Sequence, residues 1–361
     1  MERADKSSRE PPTSAGGSAR SARGDDIEAA RELVGQARVA EQGGHAAKAL
    51  GLYDDALGSF KKGSADPYLA DILRWKGTLL RERGETEAAS RCYTKSLDQA
   101  RLSGSTGGEA HALNCLAIIC QRRGDNKEAE RLYAQAASLA EKVGDARLLG
   151  MIQQNRGVLA NMHGEFALAS SLYSESLAAF EAAGDTEPVS WVLNNMGMLH
   201  TKIREFRQAR ECFARALDIA IKRGDTIVQS VVSLNLAEAW VGEGRLDLAD
   251  ILCSRALEEA QRRGDHLTAA GALKVRASIE RRRGALDKSI ATLRIAIYEA
   301  EGAEDRLLQA EMLRELGEIS RAVGNSGAAR SAWREAADAF RLTGATRDLQ
   351  EIETELDALP S

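Results

Sequence analysis

Apolar residues fall three and four positions apart over long stretches of the chain, as in Leu73, Leu79 and Leu80 or Leu246, Leu248, Ile251, Leu252 and Leu257. This spacing predicts helices that bury one stripe. Glycine interrupts the stripes at a fixed interval: Gly44, Gly84, Gly124 and Gly164, a gap at Arg204, then Gly244, Gly284 and Gly324, a period of 40 residues. A second series, Gly104, Gly144, Gly184, Gly224, Gly264 and Gly344, misses only at Glu304 and is followed by Asp145, Asp185, Asp225, Asp265 and Asp305. Two breaks per period make each unit a helical hairpin. At the Gly-Asp junctions, glycine supplies the left-handed residue that ends one helix, and aspartate caps the free N–H groups of the next.

Set out in blocks of 40 from Asp25, eight units fit without an insertion and end at Gly344. One column of small residues reads Ala37, Gly77, Ala117, Gly157, Gly197, Ala237, Ala277, Gly317; another runs from Ala49 to Ala329, and a third from Ala56 to Ala336. A bulky column, Tyr53, Tyr93, Tyr133, Tyr173, Phe213, Cys253, Leu293, Trp333, fills the space left by the small ones. A unit of this kind buries its apolar face only against its neighbours, which predicts a continuous, quasi-one-dimensional core.

In the order small, break, Ala, aromatic, small, these columns resemble the tetratricopeptide repeat. Gly157, Gly164, Ala169, Tyr173 and Ser176 match its pattern, as do Leu236, Ala237, Gly244, Ala249 and Ala256. The period exceeds the usual 34, and the N-x-G segments at Asn155–Gly157 and Asn195–Gly197 resemble the long repeat class of kinesin light chains, spindle-orientation adaptors and bacterial signalling regulators. The resemblance implies an all-α protein, a right-handed α-α superhelix of eight hairpins over residues 25–344. It is specific for fold and weak for function, because this fold is a platform rather than a chemistry.

The ends read differently. Residues 1–24 are rich in Ser, Arg, Gly and Pro with almost no apolar content, and are expected to form a disordered tail. Residues 345–361 place Leu349, Ile352, Leu356 and Leu359 on one face and acids on the other, as a capping helix that covers the last repeat.

Composition removes several functions. With 49 basic and 54 acidic residues interspersed and a net charge of −5, the surface gives no reason to expect nucleic-acid binding or polybasic membrane docking. No apolar run is long enough for a membrane span, and the N-terminus lacks the core of a secretory signal, so a soluble cytoplasmic protein is expected. Arginine supplies 37 of the basic residues, which suggests a GC-rich bacterial genome. No phosphate-binding glycine loop, H-E-x-x-H or G-x-S-x-G segment is present, the five cysteines form no C-x-x-C pair, and the histidines are scattered. His111 and Cys115 lie four apart on one helix, but two ligands are fewer than zinc requires. The reading is a protein that is not an enzyme and carries no metal or cofactor.

The resemblance puts the first helix of each hairpin on the concave face. One inward column then reads Gly35, Trp75, Cys115, Asn155, Asn195, Asn235, Val275, Glu315, and its neighbour includes Arg74, Asn114, Asn194 and Arg314. One turn on come Arg81, Gln121, Asn161, Arg281 and Arg321. The twelve amides and arginines among them, from Arg74 to Arg321, describe an amide ladder with cationic ends. An asparagine amide offers both donor and acceptor, so it brackets a peptide unit whatever side chain that unit carries; in related repeat proteins a similar ladder holds extended peptides. The expected function is a scaffold that binds an extended, acidic or amphipathic segment of a partner protein. The competing reading is a peptide or small-molecule sensor whose superhelix changes shape to control another protein. Pairing of the solenoids as a homo-oligomer, or occupancy of the groove by the N-terminal tail, completes the list of expectations.

Overall fold

The computed structural model describes residues 16–61, 63–303, 305–343 and 345–359. All regular structure among them is helical. The helices pair as α1 (Gly16–Gln42) with α2 (Ala46–Gly58), α3 (Pro67–Glu82) with α4 (Thr86–Ser103), α5 (Thr106–Arg122) with α6 (Asn126–Val143), and α7 (Ala146–Met162) with α8 (Phe166–Ala182). They continue as α9 (Thr186–Lys202) with α10 (Phe206–Arg223), α11 (Thr226–Glu243) with α12 (Leu246–Arg263), α13 (His266–Arg282) with α14 (Leu286–Gly302), and α15 (Arg306–Ala322) with α16 (Ser326–Thr343); α17 (Thr346–Asp357) closes the series. The chain divides into two compact units, residues 1–116 and 117–361, with the division inside α5. The last nine residues of the expected tail, 16–24, lie in α1, which begins at Gly16; the first fifteen residues of that tail, and Gly344, lie outside the described residues.

Local chemistry sets the helix ends. The described glycines of both series take left-handed φ values, for instance 68° at Gly104 and 84° at Gly244, and Arg204 adopts the same conformation at the one gap in the first series, with φ 64°. The turn is therefore imposed by the packing of the hairpin even where no glycine favours it. Asp145, Asp225, Asp265 and Asp305 each accept the N–H three residues on, at 2.9–3.0 Å. Asp185 departs from this: its carboxylate takes the Arg147 guanidinium instead of capping α9. Asp225→Ala is expected to lower stability by about 1 kcal/mol in urea unfolding, and Asp185→Ala by less, because an exposed ion pair contributes little.

The small and bulky columns meet within the hairpins. The Tyr93, Tyr173, Phe213 and Trp333 rings lie against Gly77, Gly157, Gly197 and Gly317, where a Cβ would fall 2.3–2.7 Å from ring atoms. Where the small residue is Ala237 or Ala277, the corresponding bulky position is Cys253 or Leu293, both fully buried. Ser96 and Ser176, in an otherwise alanine column, donate to the carbonyls of Ala70 and Gly150 at 2.7 Å, so their hydroxyls are satisfied in the core. Lys76, Arg156 and Arg276 reach to Asp54, Glu130 and Ser254 on the second helix of the preceding hairpin. At the C-terminal end, Ile352 and Leu359 of the closing segment pack with Trp333, Ala337 and Phe340, and Leu349 and Leu356 lie against the same cluster.

Candidate functional site

The first helices of consecutive hairpins in the second unit lie side by side, and their side chains bond to one another directly: α9 to α11, α11 to α13 and α13 to α15. This is the helix-A face. Its character changes along the chain.

From α7 to α11 the face is amide-rich. Asn155, Asn195 and Asn235 are half-buried and Asn194 is buried. Asn235 Nδ2 donates to Asn194 Oδ1 at 2.8 Å, and Asn194 Nδ2 points to Met198 Sδ at 3.6 Å. Repetition every 40 residues thus places two of the predicted amides in contact across adjacent hairpins. Gln121 accepts from the Tyr133 hydroxyl at 3.0 Å and donates to Met162 Sδ at 3.3 Å. The Asn161 Oδ1 atom is buried and accepts no hydrogen bond. Met198 is 45% exposed, whereas Met151 and Trp191 are half-buried and pack against the core. A pocket of about 330 Å³ opens here, lined by Asn161, Met198, Thr201, Lys202, Phe213, Asn235 and Glu238.

From α11 to α17 the face is ionic. Lys274 sits between Glu311 at 2.7 Å and Glu238 at 3.8 Å. Burial alone would push the Lys274 ammonium pKa down, but these carboxylates outweigh it and hold the group above the ordinary lysine value. Glu315 accepts from the Ser278 hydroxyl at 3.1 Å and lies 3.8 Å from Arg281, which also pairs with Glu318 at 3.1 Å. Burial pushes the Glu315 carboxyl up, against the opposing pull of Lys274, Ser278 and Arg281.

A carboxyl whose folded pKa is raised binds its proton more tightly in the folded state. The stability it contributes is present below its unfolded value and is lost as pH rises through the folded one. Replacing Glu315 by Gln is therefore expected to raise the melting temperature relative to wild type progressively as pH increases from about 4.5. Thermal scans across pH 4–7 that keep a constant difference would contradict this assignment.

Arg314 pairs with Asp348 and Glu351, and Arg321 with Glu355. The arginines Arg281, Arg314 and Arg321, read from sequence as open cations for an acidic ligand, are thus occupied by acids of the chain itself. Those partners sit 34–37 residues further on, in the next first helix or in α17. The ion pairs joining α11, α13, α15 and α17 contain seven carboxylates and four cations. Sequence reasoning missed Glu238, Glu311 and Glu318. The column Arg38, Thr78, Ile118, Val158, Met198, Glu238, Ser278, Glu318, one turn beyond the two inward columns, carries the signal for two of them.

In the first unit Asn114 is buried, Arg74 pairs with Asp71 at 2.8 Å, and Arg81 lies 3.7 Å from Glu82 with its Nε buried and unpartnered. Trp75 is covered by guanidinium groups, Arg38 at 4.4 Å and Arg74 at 5.5 Å from the ring centroid, and meets Tyr68 edge-on at 5.7 Å. These residues belong to one unit and the amide face to the other.

Burial raises the pKa of all five thiols, Cys253 to about 11, so none is an activated nucleophile. No group of three or more His, Cys, Asp and Glu among the described residues is arranged to hold a metal ion, and no described helix is long and apolar enough to cross a membrane.

A tetratricopeptide repeat model matches residues 68–142, 108–182 and 148–222. Among solved structures, the apo form of the quorum sensor NprR from B. thuringiensis is similar at a TM-score of 0.64 and 15% identity, over 86% of this chain and 87% of that one. NprR in complex with its cognate peptide NprX gives a TM-score of 0.59 at 12% identity, over 78% and 82%. A tetratricopeptide repeat protein from Parabacteroides merdae gives 0.55 at 18% identity, over 79% and 99%. No curated protein matches the sequence. Residues 68–222 are thus matched as tetratricopeptide repeats, and the helical hairpins on either side of them continue the same all-α solenoid fold.

Proposed function

We propose that the protein acts by binding rather than by chemistry, and that the helix-A face of α7–α11 receives an extended segment of a partner protein or peptide. The observation that carries this reading is the amide row Asn155, Asn195 and Asn235, with the Asn235–Asn194 bond fixing two of the side chains before any ligand arrives. An extended strand exposes alternating N–H and C=O groups, which such a row bonds independently of sequence. The likeness in fold to a peptide-bound quorum sensor supports the reading, as does the ionic closure of the neighbouring face, which leaves the amide stretch as the part not already occupied by ion pairs.

The test is a selection of random nine-residue peptides by display on the full-length protein. Affinities of the selected peptides are then compared between wild type and an Asn155→Ala/Asn195→Ala/Asn235→Ala variant of matched melting temperature. Peptides that bind both proteins equally would overturn the proposal.

A second reading, a peptide-sensing regulator, is favoured by one feature. The ties from α11 to α17 are half-exposed ion pairs between separate hairpins, and a ligand that redistributes them alters how successive hairpins stack. Change in small-angle scattering on peptide addition distinguishes the sensor from a rigid scaffold.

A further inference from the structure

The pocket at the α9–α11 end of the amide face is built mainly from acceptors. Asn161 Oδ1 is buried and receives no donor. Asn235 gives its Nδ2 to Asn194, which leaves its Oδ1 to accept. Thr201 donates its hydroxyl proton to the Gly197 carbonyl at 2.9 Å, so that its oxygen keeps only acceptor capacity. Glu238 completes the set; its cation, Lys274, stands 3.8 Å away, beyond a short hydrogen bond, and is itself held at 2.7 Å by Glu311. The one ammonium on the rim, Lys202, leans 5.2 Å from the Phe166 ring centroid. Met198 adds an apolar wall.

We propose that this pocket holds the guanidinium of an arginine side chain carried by the bound peptide. The proposal rests on the helix-A face being the binding face, and adds the side chain that the face selects. Three reachable acceptors, on Thr201, Asn235 and Glu238, suit a planar group with five N–H donors in a fixed fork. A carboxylate meets the charge of Glu238. A leucine leaves the Glu238 carboxylate and the Asn235 oxygen facing an apolar group, the situation in which a polar pocket discriminates most strongly. The methylenes of an arginine run along the Met198 thioether. Charge agrees, since the pairs from α11 to α17 carry seven carboxylates against four cations, so this stretch attracts a basic rather than an acidic ligand.

The experiment uses the full chain with ¹³C-methyl methionine and five pools of random nine-residue peptides, each with one fixed central residue: Arg, Lys, Gln, Leu or Glu. The Arg pool is expected to bind at least about tenfold more tightly than the Gln or Leu pool and to shift the Met198 methyl resonance. Glu238→Arg is expected to reverse the order and favour the Glu pool. Equal binding by all pools, still abolished by the triple Asn→Ala variant, overturns the arginine pocket and leaves the binding face standing. Binding that survives the triple variant, or no binding by any pool, overturns the face and the pocket together.

Discussion

Gly317→Ala is expected to destabilise the protein by about 2–3 kcal/mol, although alanine is the better helix former. A Cβ at this position falls 2.3 Å from Cδ1 and Nε1 of Trp333. The indole cannot tilt away cheaply: it is fully buried, packed with Ala329, Ala336 and Phe340, and donates its Nε1–H to the Arg314 carbonyl at 3.1 Å. Trp333→Leu alone removes that bond and leaves a cavity, at a cost of about 3–5 kcal/mol. The double variant recreates the pairing that the preceding hairpin already uses, Ala277 with Leu293. Its loss is expected to fall short of the sum of the single losses by about 2 kcal/mol, within the range seen for residues in contact. Urea unfolding of the three variants checks this, and strict additivity would show that glycine and tryptophan do not constrain each other. Gly35→Ala is the control, because nothing lies within 4 Å of a Cβ there; it is expected to gain about 0.5–1 kcal/mol.

The second large effect is on binding. Each amide of the row contributes about 0.5–1.5 kcal/mol net when it brackets a peptide unit. Removing Asn155, Asn195 and Asn235 together is therefore expected to weaken selected peptides about 30- to 100-fold, on the order of 2–3 kcal/mol. Part of this comes from lost order: without Asn235 the buried Asn194 Oδ1 loses its donor. Isothermal titration with one selected peptide measures the loss, and circular dichroism melts show whether the fold is kept.

The hairpins were legible because separate signals coincide at several junctions and the 40-residue period carries the rest. At Gly224-Asp225, for example, the left-handed glycine ends α10, the aspartate caps α11, and Lys222 and Arg223 occupy the last turn. The same coincidence explains why Arg204 did not break the register: its neighbours in the columns still demanded a turn there, and the backbone supplies it at φ 64°. The Gly317–Trp333 contact was legible as two columns of opposite size.

The pairing of the charges was not legible in the sequence, for a physical reason. Arg314 and Arg321 look unpaired along their own helix, and their acids, Asp348, Glu351 and Glu355, were assigned to the solvent side of the closing helix. Only the stacking of α17 on α15 brings them together. Sequence spacing reports neighbours within a helix; pairing across stacked helices depends on side-chain reach and direction, and this decides whether a cation is available to a ligand. The lack of a donor at Asn161 Oδ1 is visible only once the surrounding side chains are built.

Binding on the helix-A face of the second unit, and not on the outer face of the second helices, requires that a bound peptide lie beside the amide row. Site-specific photocrosslinking tests it most directly, with p-benzoylphenylalanine placed either at Met198, 45% exposed beside the amide row, or at Ile251, 64% exposed on α12. With a peptide from the display selection, the account predicts a crosslink from position 198 and none from 251. A crosslink from position 251 and none from 198 would contradict it.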